Sequence, residues 1–140
     1  ILARTSNPGA KDFQEKLFDG EALYEHVVNR FLENERVGLG FVMGGTSPGS
    51  MKRILSKLQS ANQRASLLIP GFGAQGASAE QVMELFKDFT STRWLHRMNA
   101  SSSINYAWQA NLERPADYAV AAVSALRNFA NSCKLKVLES

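Results

Sequence analysis

An apolar run passes directly into a turn with three glycines in the stretch Leu67-Leu68-Ile69-Pro70-Gly71-Phe72-Gly73-Ala74-Gln75-Gly76. The apolar residues are typical of a buried strand. Ser78 follows as an N-cap candidate with Gln81 three residues further on, which predicts the start of a helix. This arrangement aims several backbone N–H groups at one point, which suits a phosphate, and glycines let an anion approach the backbone. A tight structural turn is the alternative interpretation of the same glycines.

Two further strand ends accompany this turn. One is Ile1-Leu2-Ala3-Arg4-Thr5-Ser6-Asn7-Pro8-Gly9, and the other is Met98-Asn99-Ala100-Ser101-Ser102-Ser103-Ile104-Asn105-Tyr106-Ala107. In this order and spacing, the three segments resemble the orotidine 5′-phosphate decarboxylase family. The resemblance is to the branch with T-S-N-P, P-G-x-G-A-Q-G and N-x-S-R-x-I-x-Y-A motifs. It extends from Ile1 to about Phe129 and concerns the C-terminal half of the family.

Hydrophobic periodicity predicts four consecutive β-α units, and therefore parallel strands with right-handed crossovers. The strands are predicted over residues 1–6, 37–44, 66–70 and about 96–100. The first helix is predicted over about 11–34, and the second begins with Ser47 as N-cap and Pro48 as first helical residue. The third follows Ser78. After the fourth strand comes one helical turn and then a longer helix from about Pro115. The predicted buried faces contain Leu23, Tyr24, Val27, Val28, Phe31 and Leu32; Met51, Ile54, Leu55 and Leu58; Val82, Leu85, Phe86 and Phe89; and Tyr118, Ala121, Ala122, Leu126 and Phe129.

The resemblance implies an α/β fold, the (β/α)8 TIM barrel, of which this chain supplies roughly the last four β-α units. Residues 1–140 would form this half, with 130–140 as a tail or a linker. Complete barrels usually need about 250 residues. Four units alone leave two open sheet edges and an uncovered core face. Since Ile1 lies in a predicted strand without an initiating Met, we expect an upstream half that is cleaved away or carried separately. A homodimer of half barrels is the alternative.

The resemblance also implies a substrate site at the strand ends. Thr5 and Ser6 would hydrogen-bond the pyrimidine ring; the alternative is that they satisfy backbone groups beside Asn7-Pro8. Loop 44–47 is predicted to have only a supporting role. The 5′-phosphate would lie at the loop of Pro70, Gly71, Gly73 and Gln75, with the Gln75 amide as a hydrogen-bond donor.

At the fourth strand end, the chain departs from the family motif. Ser102 stands where the family has an arginine, which would bind a phosphate through two charge-assisted bonds. The backbone N–H groups of Ser102 and Ser103 are one substitute for that contact. Arg97 and Arg93 are the other candidates, although neither lies at the motif position.

The family decarboxylates its substrate with a Lys/Asp array that includes a D-x-K-x-x-D motif in the first half of the barrel. A lysine proton stabilises and quenches carbanion character at the ring carbon. The motif does not occur in this sequence, since Lys11-Asp12 and Lys87-Asp88 have the wrong context. We therefore predict no catalytic residue in this chain, no cofactor, and no activity of the chain alone. A complete enzyme would be a carbon–carbon lyase.

Composition is that of a globular domain, with 140 residues, 44% of them hydrophobic and 21% charged. The sequence contains neither an apolar run of membrane-spanning length nor a signal peptide, and the single cysteine favours a reducing, cytoplasmic location. A net charge of +3 without a basic stripe argues against nucleic acid as a partner. His26, His96 and Cys133 have no metal-ligand spacing. Trp94 and Trp108 are predicted to pack between helices and sheet, and Lys134-Leu135-Lys136 is predicted to be a solvated tail or the start of a linker.

Together, these observations favour the phosphate- and base-binding half of an orotidine 5′-phosphate decarboxylase, which makes uridine monophosphate. The resemblance implies three partners: orotidine 5′-phosphate or uridine monophosphate as ligand, the N-terminal half of the barrel, and a second copy in a homodimer. Fusion to an orotate phosphoribosyltransferase beyond Ser140 is known among relatives. Two alternatives stay open. One is a non-catalytic half barrel that binds a nucleotide or assembles with a partner, and the other is a phosphate-binding barrel enzyme that acts on a sugar phosphate.

Overall fold

A parallel four-stranded sheet with helices on one face forms the centre of the molecule. The computed structural model describes residues 1–33, 38–110 and 117–134. The sheet order is first, fourth, fifth and sixth strand, all paired in parallel. In chain order, the elements are β1 (Leu2–Arg4), α1 (Ala10–Phe13), β2 (Leu17–Phe18), β3 (Glu21–Ala22), α2 (Leu23–Leu32), β4 (Gly40–Met43), α3 (Pro48–Ser60), β5 (Ser66–Pro70), α4 (Ala79–Leu85), β6 (Arg97–Asn99), α5 (Ser102–Asn105) and α6 (Tyr118–Ser132).

The four predicted strands are confirmed, and β5 has the predicted bounds. The other three are shorter than predicted, and Val37 lies outside the described residues. Three β-α connections therefore return the chain to parallel strands, as the alternation of elements requires. The strand ends that carry the site motifs consequently lie at one edge of the sheet.

Helix α3 covers the sheet with the residues that its periodicity predicted. Met51, Ile54, Leu55 and Leu58 are all buried, and they join the strand residues in one hydrophobic core. Pro48 is at the first helical position, as predicted. Ser47 is the N-cap residue by position, but its hydroxyl donates to Ser50 Oγ at 2.8 Å and accepts no backbone N–H.

The single helix predicted over 11–34 is wrong. The segment forms the short α1, a hairpin of β2 and β3, and then α2. The reason is the dipeptide Asp19-Gly20, in which both residues have positive φ, 50° and 85°. Such a pair closes a two-residue hairpin turn and interrupts a helix. In α2, Tyr24 and Val28 are buried as predicted, whereas Leu23 is exposed.

Two further packing predictions are wrong. Tyr118 and Leu126 of α6 are 57% and 52% exposed, because the helix packs through its small residues and Phe129. The Phe129 ring lies 5.2 Å from that of Phe72. Trp94 is 62% exposed and donates from its indole N–H to the carbonyl of Ser91 at 3.0 Å.

The remaining helix predictions are mostly confirmed. In α4 and the 3₁₀ turn that follows it, Val82, Phe86 and Phe89 are buried. The backbone N–H of Gln81 donates to the Ser78 hydroxyl at 3.2 Å, which confirms the N-cap. The predicted start at Pro115 lies outside the described residues, as does most of the tail or linker over 130–140. Within the described part, no helix is both long and apolar enough to cross a membrane.

Candidate functional site

Ser6 is the point at which the strand-end loops meet. It follows β1 and is only 8% exposed. Its hydroxyl donates to Oε1 of Gln75 in the loop after β5. The Thr46 hydroxyl, in the loop after β4, donates to the Ser6 carbonyl at 3.0 Å. Side chains from three loops, which are far apart in the sequence, are thereby fixed to one another.

Two glycines make this close approach possible. A β-carbon on Gly44 would lie 2.6 Å from the backbone nitrogen of Ser6, and one on Gly71 would lie 2.8 Å from the Ser6 β-carbon. Real β-carbons do not approach other atoms so closely. Gly71 also has a φ of +113°, a backbone conformation that favours glycine. Both positions therefore require glycine because Ser6 occupies the adjacent space.

Gly73 allows an equally close approach between the loops that follow β5 and β6. A β-carbon there would overlap that of Ser103 and lie 2.6 Å from its hydroxyl oxygen, and the φ of Gly73 is +100°. The Ser103 hydroxyl donates to the Phe72 carbonyl at 3.4 Å. The sequence-based argument expected these glycines to make room for an anion. In the structure, the room beside Gly71 and Gly73 is filled by serine side chains of neighbouring loops.

Thr5 is directed towards α1. Its backbone N–H and its hydroxyl both donate to Oε1 of Gln14, at 2.8 Å and 3.2 Å. A backbone N–H can only donate, so this atom of Gln14 is an oxygen and must take the hydroxyl proton as well. The Thr5 hydroxyl can therefore offer only lone pairs to another group. Its role as a ring contact stays a prediction.

A partly buried ion pair lies beside these residues. The Arg4 side chain is 4% exposed and lies 2.7 Å from the carboxylate of Glu15. Its Nε donates to the same carboxylate at 2.8 Å, and Nη1 donates to the Thr5 carbonyl at 2.8 Å. The positive charge is thus neutralised inside the protein, and the guanidinium orients the backbone that leads into Ser6.

The arginines that were considered as substitutes for the motif arginine lie elsewhere. Arg97 begins β6, at the end opposite the site, and donates to the carbonyls of Trp94 and His96 at 2.7 Å and 3.0 Å. Arg93 belongs to the 3₁₀ turn that precedes β6. Ser102 begins α5, a helix of four residues. Neither arginine replaces the cation that Ser102 lacks.

A cleft of about 400 Å³ lies between the loops after β1 and β5. Ser6, Thr46 and Gln75 line it together with Arg4 and Lys11. Since Gln75 accepts the Ser6 proton through Oε1, its amide nitrogen is the group that it presents as a donor. The structure thus brings Ser6 and Gln75 into one cleft, whereas Thr5 and Ser103 do not line it.

The histidines and the cysteine have structural roles. The Leu67 backbone N–H donates to His96 Nδ1 at 3.2 Å, and the ring stacks on Phe86 with centroids 5.0 Å apart. Burial, with a smaller contribution from Arg97, lowers the pKa of His96 to about 4. Burial raises the pKa of the Cys133 thiol. Among the described residues, no cluster of His, Cys, Asp and Glu has the arrangement of a metal site.

Sequence reasoning missed Arg4, Gln14 and Glu15, and it gave the loop that contains Thr46 only a supporting role. Their partners lie between one and forty residues away, and no local pattern identifies such pairs. Thr46 offered one signal, because it follows a predicted strand end next to two glycines. For Arg4, the signal was a charged residue inside an apolar strand, since an ion in that position is expected to be paired.

Comparison with known proteins gives one consistent result. No family model matches the chain. Orotidine 5′-phosphate decarboxylase of Leptospira interrogans is 38% identical over 80% of this chain and 40% of its own length. The protein of the same description from Azoarcus sp. is 34% identical over 89% of this chain and 43% of its own length. The protein of that description from Haloarcula marismortui is 41% identical over 60% of this chain and 30% of its own length.

The solved structure of Leishmania donovani UMP synthase overlaps this chain with a TM-score of 0.69, at 24% identity. The overlap covers 94% of this chain and 26% of that protein. With the parallel sheet and its alternating helices, this likeness identifies the fold as a fragment of an α/β TIM barrel. The chain spans less than half the length of the curated relatives that it matches. It is a homologue of the C-terminal half of orotidine 5′-phosphate decarboxylases.

Proposed function

We propose that this chain is the phosphate- and base-binding half of an orotidine 5′-phosphate decarboxylase. The reaction replaces the ring carboxylate by a proton, so that orotidine 5′-phosphate and one proton give uridine monophosphate and carbon dioxide. The relatives of this description support the reaction class. Residues 1–140 would act as one unit of the barrel, with the substrate at the C-terminal ends of its strands.

The observation that carries the proposal is the bond between Ser6 and Gln75. It joins the ends of β1 and β5 and leaves the Gln75 amide nitrogen as a donor in the cleft. In the proposed complex, that nitrogen donates to a phosphate oxygen, and the lone pairs of the Ser6 hydroxyl accept from the ring. Pro70, Gly71 and Gly73 shape the loop, and Ser102 and Ser103 close the fourth strand end.

The chain has polar groups for binding but lacks the proton donor of the reaction. Neither Lys11 nor Lys87 lies in a D-x-K-x-x-D motif, which the family places in the first half of the barrel. We therefore propose that the chain alone does not turn over orotidine 5′-phosphate. The test is an assay of the purified chain, with and without the N-terminal half of one of its relatives. Turnover by the chain alone contradicts this proposal, and turnover only in the mixture supports it.

Gln75→Ala tests the position of the phosphate. Loss of one such hydrogen bond should weaken binding of uridine monophosphate by about 1–2 kcal/mol, measured by calorimetric titration. Gln109→Ala, which removes an exposed amide outside the cleft, is the matched control. Gly73→Val is a poor test, because its side chain would overlap Ser103 and displace the loops whether or not an anion binds there. If the Gln75 and Gln109 variants bind uridine monophosphate with equal affinity, the phosphate does not contact Gln75.

Ser102→Arg tests the departure from the family motif. A guanidinium forms two charge-assisted bonds to a phosphate, which a serine cannot form. Ser102 is exposed, so a longer side chain has room. The variant should bind uridine monophosphate more tightly and uridine equally well. A sugar phosphate in the same titration separates the two enzyme hypotheses, since tighter binding of ribose 5-phosphate than of the nucleotide would favour the other barrel enzyme.

A non-catalytic assembly module is the second candidate, and the uncovered face of the sheet favours it. Leu2 and Leu68 are 53% and 45% exposed there. For both candidates, we propose that the chain associates with a complementary half, and that the complete enzyme forms a homodimer through its strand-end face. Light scattering of the chain, alone and mixed with that half, measures the association. A stable monomer that does not bind the added half would contradict the half-barrel proposal.

A further inference from the structure

The cleft at Ser6 and Gln75 contains two cations, and only one of them has a carboxylate partner. Arg4 is buried against Glu15 at 2.7 Å, so its charge is already neutralised. Lys11 lies on α1, lines the same cleft and is exposed. In the part of the chain that the structure describes, Lys11 forms no ion pair. The cleft therefore keeps one uncompensated positive charge.

Lys11 and Gln75 line this cleft from distant parts of the chain. Lys11 lies on α1, which follows the loop after β1, and Gln75 lies in the loop after β5; the Ser6–Gln75 bond joins these two loops. An amide N–H and an ammonium that face one cleft form a donor set for an anionic oxygen group. Within the described ranges, Ser102 carries no charge and Arg97 lies at the opposite end of β6, so neither supplies a cation to the cleft.

We propose that Lys11 binds an anionic group of the ligand and supplies the positive charge that the Ser102 position lacks. The inference rests on the proposed function for the identity of the ligand. Orotidine 5′-phosphate has two such groups, a phosphate and a ring carboxylate, and the same ammonium chemistry serves either. Lys11 is thus a binding residue that the strand-end motifs do not include.

Lys11→Met tests the inference, with Lys11→Arg as the charge-conserving variant and Lys16→Met as a matched exposed control outside the cleft. Each is titrated calorimetrically with uridine monophosphate, orotidine, uridine and inorganic phosphate. Loss of a charge-assisted contact should weaken binding of the anionic ligand about tenfold or more. Lys11→Arg should retain most of the affinity, and Lys16→Met all of it. Uridine should bind every variant equally.

The four ligands separate the outcomes. Weakened uridine monophosphate identifies the phosphate as the contact, and weakened orotidine identifies the carboxylate. If uridine monophosphate and orotidine bind wild type and Lys11→Met equally, the inference is overturned while the proposed function stands. If Lys11→Met weakens inorganic phosphate, and the nucleotide binds no more tightly than phosphate, Lys11 is an anion contact and the nucleotide proposal fails. Absence of binding by all four ligands overturns both.

Discussion

The two faces of the sheet differ although the same strands form them. On the face covered by helices, Phe41, Met43, Leu67 and Ile69 are at most 1% exposed. On the other face, Leu68 lies between two of these residues in β5 and is 45% exposed. Leu2 of β1 is 53% exposed on its own strand. One face is thus a closed core. The other exposes Leu2 and Leu68 beside the polar residues Arg97 and Asn99, and no second layer covers it among the described residues.

The difference is clearest in β5, which has apolar residues on both of its faces. A parallel sheet with both faces covered has continuous apolar strands, which is the pattern of β5. In a (β/α)8 barrel, the interior face is packed by side chains from all eight strands. The uncovered face of this sheet corresponds to that interior. This correspondence supports the proposal that the covered face stabilises the chain and that the open face associates with a complementary half.

Truncation of neighbouring residues in β5 tests this division with the largest expected effect. Ile69→Ala should lower the free energy of unfolding by about 2–5 kcal/mol, because it leaves a cavity in a closed core. Leu68→Ala should lower it by less than about 1 kcal/mol, since water already reaches that side chain. Denaturant unfolding at low protein concentration measures both.

The same pair also tests assembly. If a complementary half covers the open face, addition of that half should make Leu68→Ala as destabilising as Ile69→Ala. A loss of stability by Leu68→Ala in the isolated chain that equals the loss by Ile69→Ala would contradict the comparison, because it would mean that both faces are already packed.

Gly73→Ala has an expected effect of similar size and moves the comparison to the strand ends. Gly73 and Gly76 both have positive φ, 100° and 78°, so an alanine is strained at either position. A β-carbon on Gly76 meets nothing within 4 Å, whereas one on Gly73 overlaps Ser103. Gly76→Ala should lower the free energy of unfolding by about 1–2 kcal/mol. Gly73→Ala should lower it by about 1–3 kcal/mol more, as overpacking does.

Ser103→Gly provides the control for this prediction. It removes the side chain that the new β-carbon would meet, together with the Ser103–Phe72 hydrogen bond. Measured against Ser103→Gly alone, Gly73→Ala should therefore cost no more than Gly76→Ala costs in the wild type. If Ser103→Gly does not rescue Gly73→Ala, the loops are not packed against each other at this point, and the description of the fourth strand end is wrong.

The parts of the fold that local sequence specifies were the ones that could be predicted. The turn after β5 combines an apolar run, glycines and a serine cap, and each of these signals acts over a few residues. The segment before α2 misled the prediction because apolar spacing of its second half was extended across Asp19-Gly20, whose turn chemistry outweighs periodicity. In α6, apolar residues occur all round the helix, so the sequence did not indicate which side would pack.

The candidate site was predictable in its positions but not in its interactions. Ser6 and Gln75 were expected at the strand ends, but their mutual hydrogen bond joins residues 69 positions apart. The need for glycine at 71 and 73 was inferred from an anion, whereas the structure explains it by Ser6 and Ser103. These contacts depend on how strands pair, and that arrangement is not a property of any single segment.

The last expected effect concerns a titratable group on the covered side of the sheet. His96 is 8% exposed, accepts the Leu67 backbone N–H through Nδ1, and has a buried Nε2 without a hydrogen-bond partner in the described part of the chain. Burial lowers its pKa from 6.5 to about 4, because a charged imidazole is poorly solvated there and protonation of Nδ1 removes the bond to Leu67.

Between pH 6.5 and about 4, the unfolded chain binds more protons at His96 than the folded chain does. Stability is therefore complete above pH 6.5 and should be lost progressively as the pH falls towards about 4. Unfolding of the wild type and of His96→Gln at a series of pH values measures this loss. The His96 variant should have a flatter pH dependence over this range, whereas an unchanged slope in His96→Gln would assign the acid sensitivity to carboxylates instead.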